Sequence, residues 1–161
     1  MIWQELFQMQ KKLDEYIVRN NQLEGKDLFD EKYLALLVEI GELANETRCF
    51  KYWSTKPSSQ KQDILEEFVD GIHFLMSLGI EKNYDFTVTT IEKTTMNVTE
   101  QFNFIYASCV KFKQEPTEEN YVAMFSAYLQ LGELLGFSLE DIKNSYYEKN
   151  KVNYERQLQG Y

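Results

Sequence analysis

The sequence predicts an all-α fold: a helical bundle of about five to six helices in a single domain over residues 1–161. Three observations predict it. Apolar residues recur at three- and four-residue intervals through most of the chain. Only seven glycines and two prolines interrupt 161 residues, which favours long helices over a sheet. Two of the predicted helices carry acid pairs three residues apart, Glu39 with Glu42 and Glu67 with Asp70, a spacing that shares one face on a helix. The length suits one domain with a core of its own.

The elements follow in order. Residues 2–20 place Ile2, Leu6, Met9, Leu13 and Ile17 at helical spacing and predict an amphipathic helix. Its other faces hold Gln10, Asp14, Asn20 and Asn21, which spacing alone assigns to solvent. After a loop with Gly25, a second helix runs from about Asp30 to Cys49. There Ala35, Glu39, Glu42 and Glu46 fall on one narrow strip, and most other positions are apolar. A surface helix shows the reverse pattern, so this one is expected to be buried, with its acids facing a cleft. The segment FKYWSTKPSSQKQD, about Phe50 to Gln62, reads as a polar loop carrying Lys51, Trp53 and Lys56. It either closes over a base and its phosphates or plugs one end of the bundle.

The third helix runs from about Gln60 to Glu81. Ile64, Leu65, Phe68, Val69, Ile72, Leu75 and Met76 form its core face, and Glu66, Glu67, Asp70, His73, Phe74 and Ser77 lie opposite. The threonine-rich stretch 86–100 is expected to be helix with a frayed start, and Val98–Lys113 is expected to be helix throughout. Pro116 and Thr117 mark a break and an N-cap. A strongly apolar helix follows, with Tyr121, Met124, Phe125, Tyr128 and Leu131 suited to a core or a subunit interface, and Gly136 as its stop. Ser138 with Asp141 makes a capping box for a last helix, Leu139–Leu158. Its end collects Lys149, Asn150, Lys151, Asn153 and Arg156. Those cations either complement the helix dipole or reach phosphates, where Arg offers a two-pronged contact.

Composition narrows the chemistry. A net charge of −9 with no basic stripe argues against nucleic acid or an anionic membrane as the main partner. Two cysteines imply neither a disulfide framework nor a metal site and suit a reducing compartment, and the N-terminal residues lack the pattern of a signal peptide. A cytoplasmic protein is expected. There is no phosphate-binding glycine loop, no dinucleotide fingerprint and no nucleophile elbow. Asp70 and His73 form a D-x-x-H, but the single histidine leaves a di-iron site incomplete. A lone E-x-x-E on a helix is usually a solvated face. Two such pairs laid side by side gather four carboxylates around one point, and these repel unless a cation sits among them. Magnesium binds oxygen ligands and phosphates together, so a magnesium site for a phosphorylated substrate is the reading of the residues themselves.

Three segments then carry a resemblance. ALLVEIGELANETRCFKYW, EEFVDGIHFLMSLG and YYEKNKVNYERQLQGY resemble the motifs of the dimeric all-α deoxyuridine triphosphate pyrophosphatases, or dUTPases. These belong to the wider all-α nucleoside triphosphate pyrophosphatase group, with the MazG-type and deoxycytidine triphosphate enzymes. The paired acids are shared by the whole group. The FKYW loop, the DGIHF segment and the K-N-x-x-N-x-x-R tail are similar to the deoxyuridine branch. The similarity covers both ends of the chain and carries no site residue into 85–140.

The resemblance implies a homodimer that hydrolyses dUTP, and also dUDP, using two or more Mg2+ ions. It implies that Glu39, Glu42, Glu67 and Asp70 are metal ligands and that Glu39 is the general base that orients the attacking water. Q-K-K-L-D resembles the motif contacting the uracil edge, which gives Gln10 and Asp14 that role, although Asn is the family's usual residue where Asp14 stands. Trp53 resembles the lid on the base, in the loop with Lys51 and Lys56. His73 and Phe74 resemble the lining of the base and sugar pocket. Lys149, Asn150, Asn153 and Arg156 resemble the group gripping sugar and phosphates. Because a glutamine amide can turn over to suit either pyrimidine, a deoxycytidine triphosphate substrate is the first alternative. A helical interaction module without enzymatic activity is the second.

Overall fold

The computed structural model describes residues 2–161. Its elements are α1 (Ile2–Asn20), α2 (Phe29–Thr47), α3 (Lys61–Lys82), α4 (Val98–Gln114), α5 (Glu118–Leu134) and α6 (Leu139–Leu158), and no strand forms among the described residues. Helix α3 is the centre: it packs against α1, α2, α5 and α6. Its Phe68, Val69, Ile72 and Met76 are wholly buried. Helices α4 and α5 form a hairpin behind it, and α4 also touches α2. No single helix among the described residues is long and apolar enough to cross a membrane.

The expected caps are present. Thr117 accepts from the Asn120 backbone N–H, and Ser138 with Asp141 closes a capping box. Gly136 adopts a φ of +83°, the left-handed conformation that ends α5 and turns the chain toward α6. Two expectations are corrected. Residues 86–97 are not helical; α4 begins only at Val98, behind an Asn97–Glu100 capping box. The run from Thr87 to Ile91 is rich in β-branched residues, which lose side-chain freedom in a helix. Its anchor is instead Phe86, stacked on Phe125 at 4.2 Å. Helix α2 is also not buried all round. Leu36, Ile40 and Leu43 face the core, whereas Leu34 is 62% and Val38 50% exposed. The apolar face of α5 proves to be core, with Tyr121, Met124, Phe125, Tyr128 and Leu131 inaccessible.

The hairpin grips the two acid-bearing helices through tyrosine hydroxyls. Tyr128 donates to the Phe68 carbonyl at 2.8 Å, and Tyr106 donates to the Leu37 carbonyl at 3.1 Å. Each contact falls within one turn of an acid pair. The Tyr128 ring fits because residue 71 is glycine: a Cβ there would lie 2.0 Å from the hydroxyl and 2.5 Å from the ring carbon bearing it. Gly71→Ala is therefore expected to cost about 3 kcal/mol or more, the upper end for overpacking in a core, measured by urea unfolding. It should also displace Asp70, the neighbouring residue.

Candidate active site

Helices α2 and α3 bring the acids together as the spacing predicts. One carboxylate oxygen from each of Glu39, Glu67 and Asp70 lies within 4.8 Å of the others. Glu42 joins them closely enough that its charge raises the proton affinity of Glu39, Glu67 and Asp70. Burial is the larger cause. It lifts Glu39 to about 8 and Glu67 to about 7, with Asp70 the next contributor to each. Asp70 is also raised by burial, but Lys149 pulls it back from 3.2 Å. One oxygen of Glu39 and one of Glu67 are buried without a hydrogen-bond partner. Unpartnered buried carboxylate oxygens are expensive. A cluster of oxygen donors with two orphaned atoms fits a hard divalent cation.

Beside the acids a cleft runs between α1, α2, α3 and α6. Its acid end is lined by Glu39, Asp70, Asn153, Arg156, Gln157 and Tyr161. Its other end, about 590 Å³, is lined by Asp14, Lys32, Ala35 and Ser77 among others. Ile17, His73 and Phe74 border both ends. Gln10 lies behind this wall, fully buried. Its Oε1 accepts from the Tyr146 hydroxyl at 2.7 Å, and its Nε2 donates to Asp14 Oδ1 at 2.8 Å and lies 3.3 Å from His73 Nε2. The free amide flip expected from sequence is thus blocked, because turning the amide over would set its oxygen against the Asp14 carboxyl.

Asp14 presents the carboxyl that borders the cleft. Ser77 donates to its Oδ2 at 2.9 Å and Lys32 Nζ lies 3.9 Å from the same atom. Burial raises its pKa against the opposing pull of Lys32, Gln10 and Ser77. His73 is pushed down to about 4 by burial, helped by Lys32 and Lys149, so its ring is neutral at pH 7. Asn153 Nδ2 reaches its other nitrogen at 3.4 Å. A neutral imidazole accepts at only one nitrogen, so only one of these two amide N–H groups can donate to the ring at a time.

From α6, Lys149, Asn153 and Arg156 face the cleft or the acids. Asn150 does not: it is buried beside Tyr146, its Nδ2 unpartnered. Asn20 and Asn21 are exposed, as expected from sequence, and both also donate to Gln157 Oε1 at 3.0 and 2.9 Å, tying the end of α6 to the end of α1. Trp53 and Lys56 stand apart on the exposed α2–α3 loop. Trp53 is 64% exposed, with Phe50 and Tyr52 as its aromatic neighbours, and Lys51 lies over the Phe50 ring. Sequence reasoning missed Lys32, Ser77, Tyr146, Gln157 and Tyr161. Two of these had a signal: Lys32 lies seven residues before Glu39 and Ser77 seven after Asp70, so both continue the faces that carry the acids.

A carboxylate cluster, a base-sized cleft opening from it, and lysine, arginine and amide groups between them define an all-α enzyme built for a phosphorylated nucleoside. The chain matches the family model dUTPase_2, described as dUTPase, over residues 2–161, and it belongs to that family. Its activity is dUTP hydrolysis, that of a dUTP diphosphatase. No curated protein matches the chain.

Proposed function

We propose that the hydrolysis of dUTP to dUMP and pyrophosphate is magnesium-dependent and takes place at the Glu39, Glu42, Glu67 and Asp70 cluster. The observation that carries this reading is the approach of three carboxylates within 4.8 Å, two of them with orphaned buried oxygens. Magnesium, two or more ions, would neutralise the triphosphate and lower the pKa of a water bound there. Glu39 is the proton acceptor for the attacking water. That role needs Glu39 ionised, and magnesium bound beside it would favour the ionised form against the burial and neighbouring acids that otherwise raise its pKa. Arg156 and Lys149 offer positive charge to the phosphates, and Asn153 with the neutral His73 contacts the sugar. Phe74 packs beside the base. Asp14 faces the base edge, with Gln10 holding it in place from behind. Trp53, Lys51 and Lys56 serve as the lid only if their loop swings over the cleft.

The homodimer is part of this proposal. It is supported by Leu34 and Val38 on α2 and Phe104 and Val110 on α4, apolar side chains 43–62% exposed on helices that touch. A dimer mass in solution, lost on substituting Leu34 and Val38 with lysine, is the expected result.

The test of the reaction is pyrophosphate release from dUTP, dCTP, dTTP and UTP, with magnesium and after chelation. Release confined to dUTP with magnesium supports the reading. Equal release from dCTP removes the base assignment, and metal-independent release removes the metal site.

A further inference from the structure

Lys32 has no role in the chemistry derived above, yet it is built into the cleft. Its side chain is only 14% exposed, although lysine normally keeps its head in water. It sits on the same strip of α2 as Glu39, two helical turns earlier, about 10 Å along the axis from the acids. Its ammonium donates to Glu81 at 2.8 Å and approaches Asp14 at 3.9 Å. An ammonium has three donors, so one hydrogen bond to Glu81 leaves capacity directed at the cleft. This end of the cleft is lined by the apolar Ile17, Val18, Ala35 and Phe74 as well as by the charged Lys26, Asp27 and Glu31, and a flat heterocycle slotted against the apolar side chains would meet Lys32 and Asp14 at its polar edge.

We infer that Lys32 is a specificity-determining residue that donates to the uracil O4 carbonyl while Asp14 accepts from the uracil N3–H. The inference rests on the dUTP reading of the cleft. Uracil offers an acceptor and a donor in that order. Cytosine offers an exocyclic amine where uracil has O4, and an unprotonated N3 where uracil has N–H. In this cleft its amine meets the Lys32 ammonium and its N3 lone pair meets the Asp14 carboxyl. Asp14 has room for the base, since its oxygens accept one bond each from Gln10 and Ser77 and a carboxylate takes about four. Both readers are largely withdrawn from water, so a mismatched edge sets donor against donor and lone pair against carboxylate with little water to intervene. That is the arrangement that discriminates strongly.

The experiment is the kcat/KM of wild type, Lys32→Met, Lys32→Gln and Lys32→Arg on dUTP and dCTP under one magnesium concentration, with a thermal melt of each. Lys32→Met keeps the aliphatic stem and removes the donor. It is expected to narrow the dUTP-to-dCTP ratio about 10- to 100-fold, the size of a lost hydrogen bond to a charged group. Lys32→Gln, whose amide presents either a donor or an acceptor, gives the same narrowing, and Lys32→Arg recovers part of the ratio. Equal losses on both nucleotides, or an unchanged ratio, in either neutral variant would overturn the inference and leave Lys32 as the partner of Glu81. That failure is distinct from failure of the underlying reading: a wild type that cleaves dCTP as readily as dUTP overturns the base assignment, and the inference falls with it.

Discussion

Glu39→Gln is expected to reduce dUTP turnover by about 10²- to 10⁴-fold, the range for a lost general base, while raising the melting temperature of the metal-free protein. The two effects have one cause. Glu39 sits among Asp70, Glu42 and Glu67, buried, with one oxygen unpartnered. Without metal, folding near neutral pH must keep on Glu39 a proton that the unfolded chain has released, and a neutral amide of the same shape removes that cost. A gain of about 1 kcal/mol corresponds to about 2–4 °C at this chain length. In saturating magnesium the order should reverse, because the wild type gains a bound cation that the variant holds less well. A residue on a solvated face gives neither effect: surface substitutions change stability little and leave catalysis alone. Turnover assays and melts with and without magnesium check both halves.

The pH dependence of stability is the second large effect. Glu39 and Glu67 are raised from the usual carboxylate value of 4.5 to about 8 and about 7. A carboxyl whose proton affinity is higher folded than unfolded keeps its proton in the native state after the unfolded chain has released it. Stability then falls as pH rises across that window. The metal-free protein is expected to lose stability between about pH 4.5 and pH 8, the loss below about pH 6.5 being partly offset by His73, whose lowered pKa acts with the opposite sign. Magnesium replaces the protons as the countercharge. The melting-temperature gain on adding magnesium should therefore be larger at pH 8 than at pH 5.5. Parallel melting curves with and without the ion across that range would remove the coupling between these acids and the metal.

Much of this was legible in the sequence because helices write their faces in three- and four-residue spacings. The ranges of α1, α6 and the caps at Thr117 and Ser138 followed from apolar spacing and from hydroxyl-bearing residues placed before helices. The juxtaposition of Glu39, Glu67 and Asp70 followed from two acid pairs on adjacent helices. What stayed hidden depends on the packing of one helix on another. Spacing put Asn20 and Asn21 on a polar face; it could not say that Gln157 comes to meet them. Gln10 read as a base contact, but the hydroxyl of Tyr146, 136 residues away, holds its amide from behind. The exposure of Leu34 and Val38 was invisible because an apolar outer face and a buried one look alike in a sequence. Residues 86–97 were misread because β-branched residues between helices carry no period to contradict a helix.

A cation site of four carboxylates that receives a triphosphate should titrate as one. The measurement is calorimetric titration of Mn2+, as a probe for Mg2+, into the protein holding a non-hydrolysable imido analogue of dUTP. Saturable binding of two or more ions per site is expected in the wild type, with at least one ion lost in Glu67→Gln and in Asp70→Asn while both variants remain folded. Variants that bind manganese with wild-type stoichiometry and affinity would contradict a four-carboxylate site.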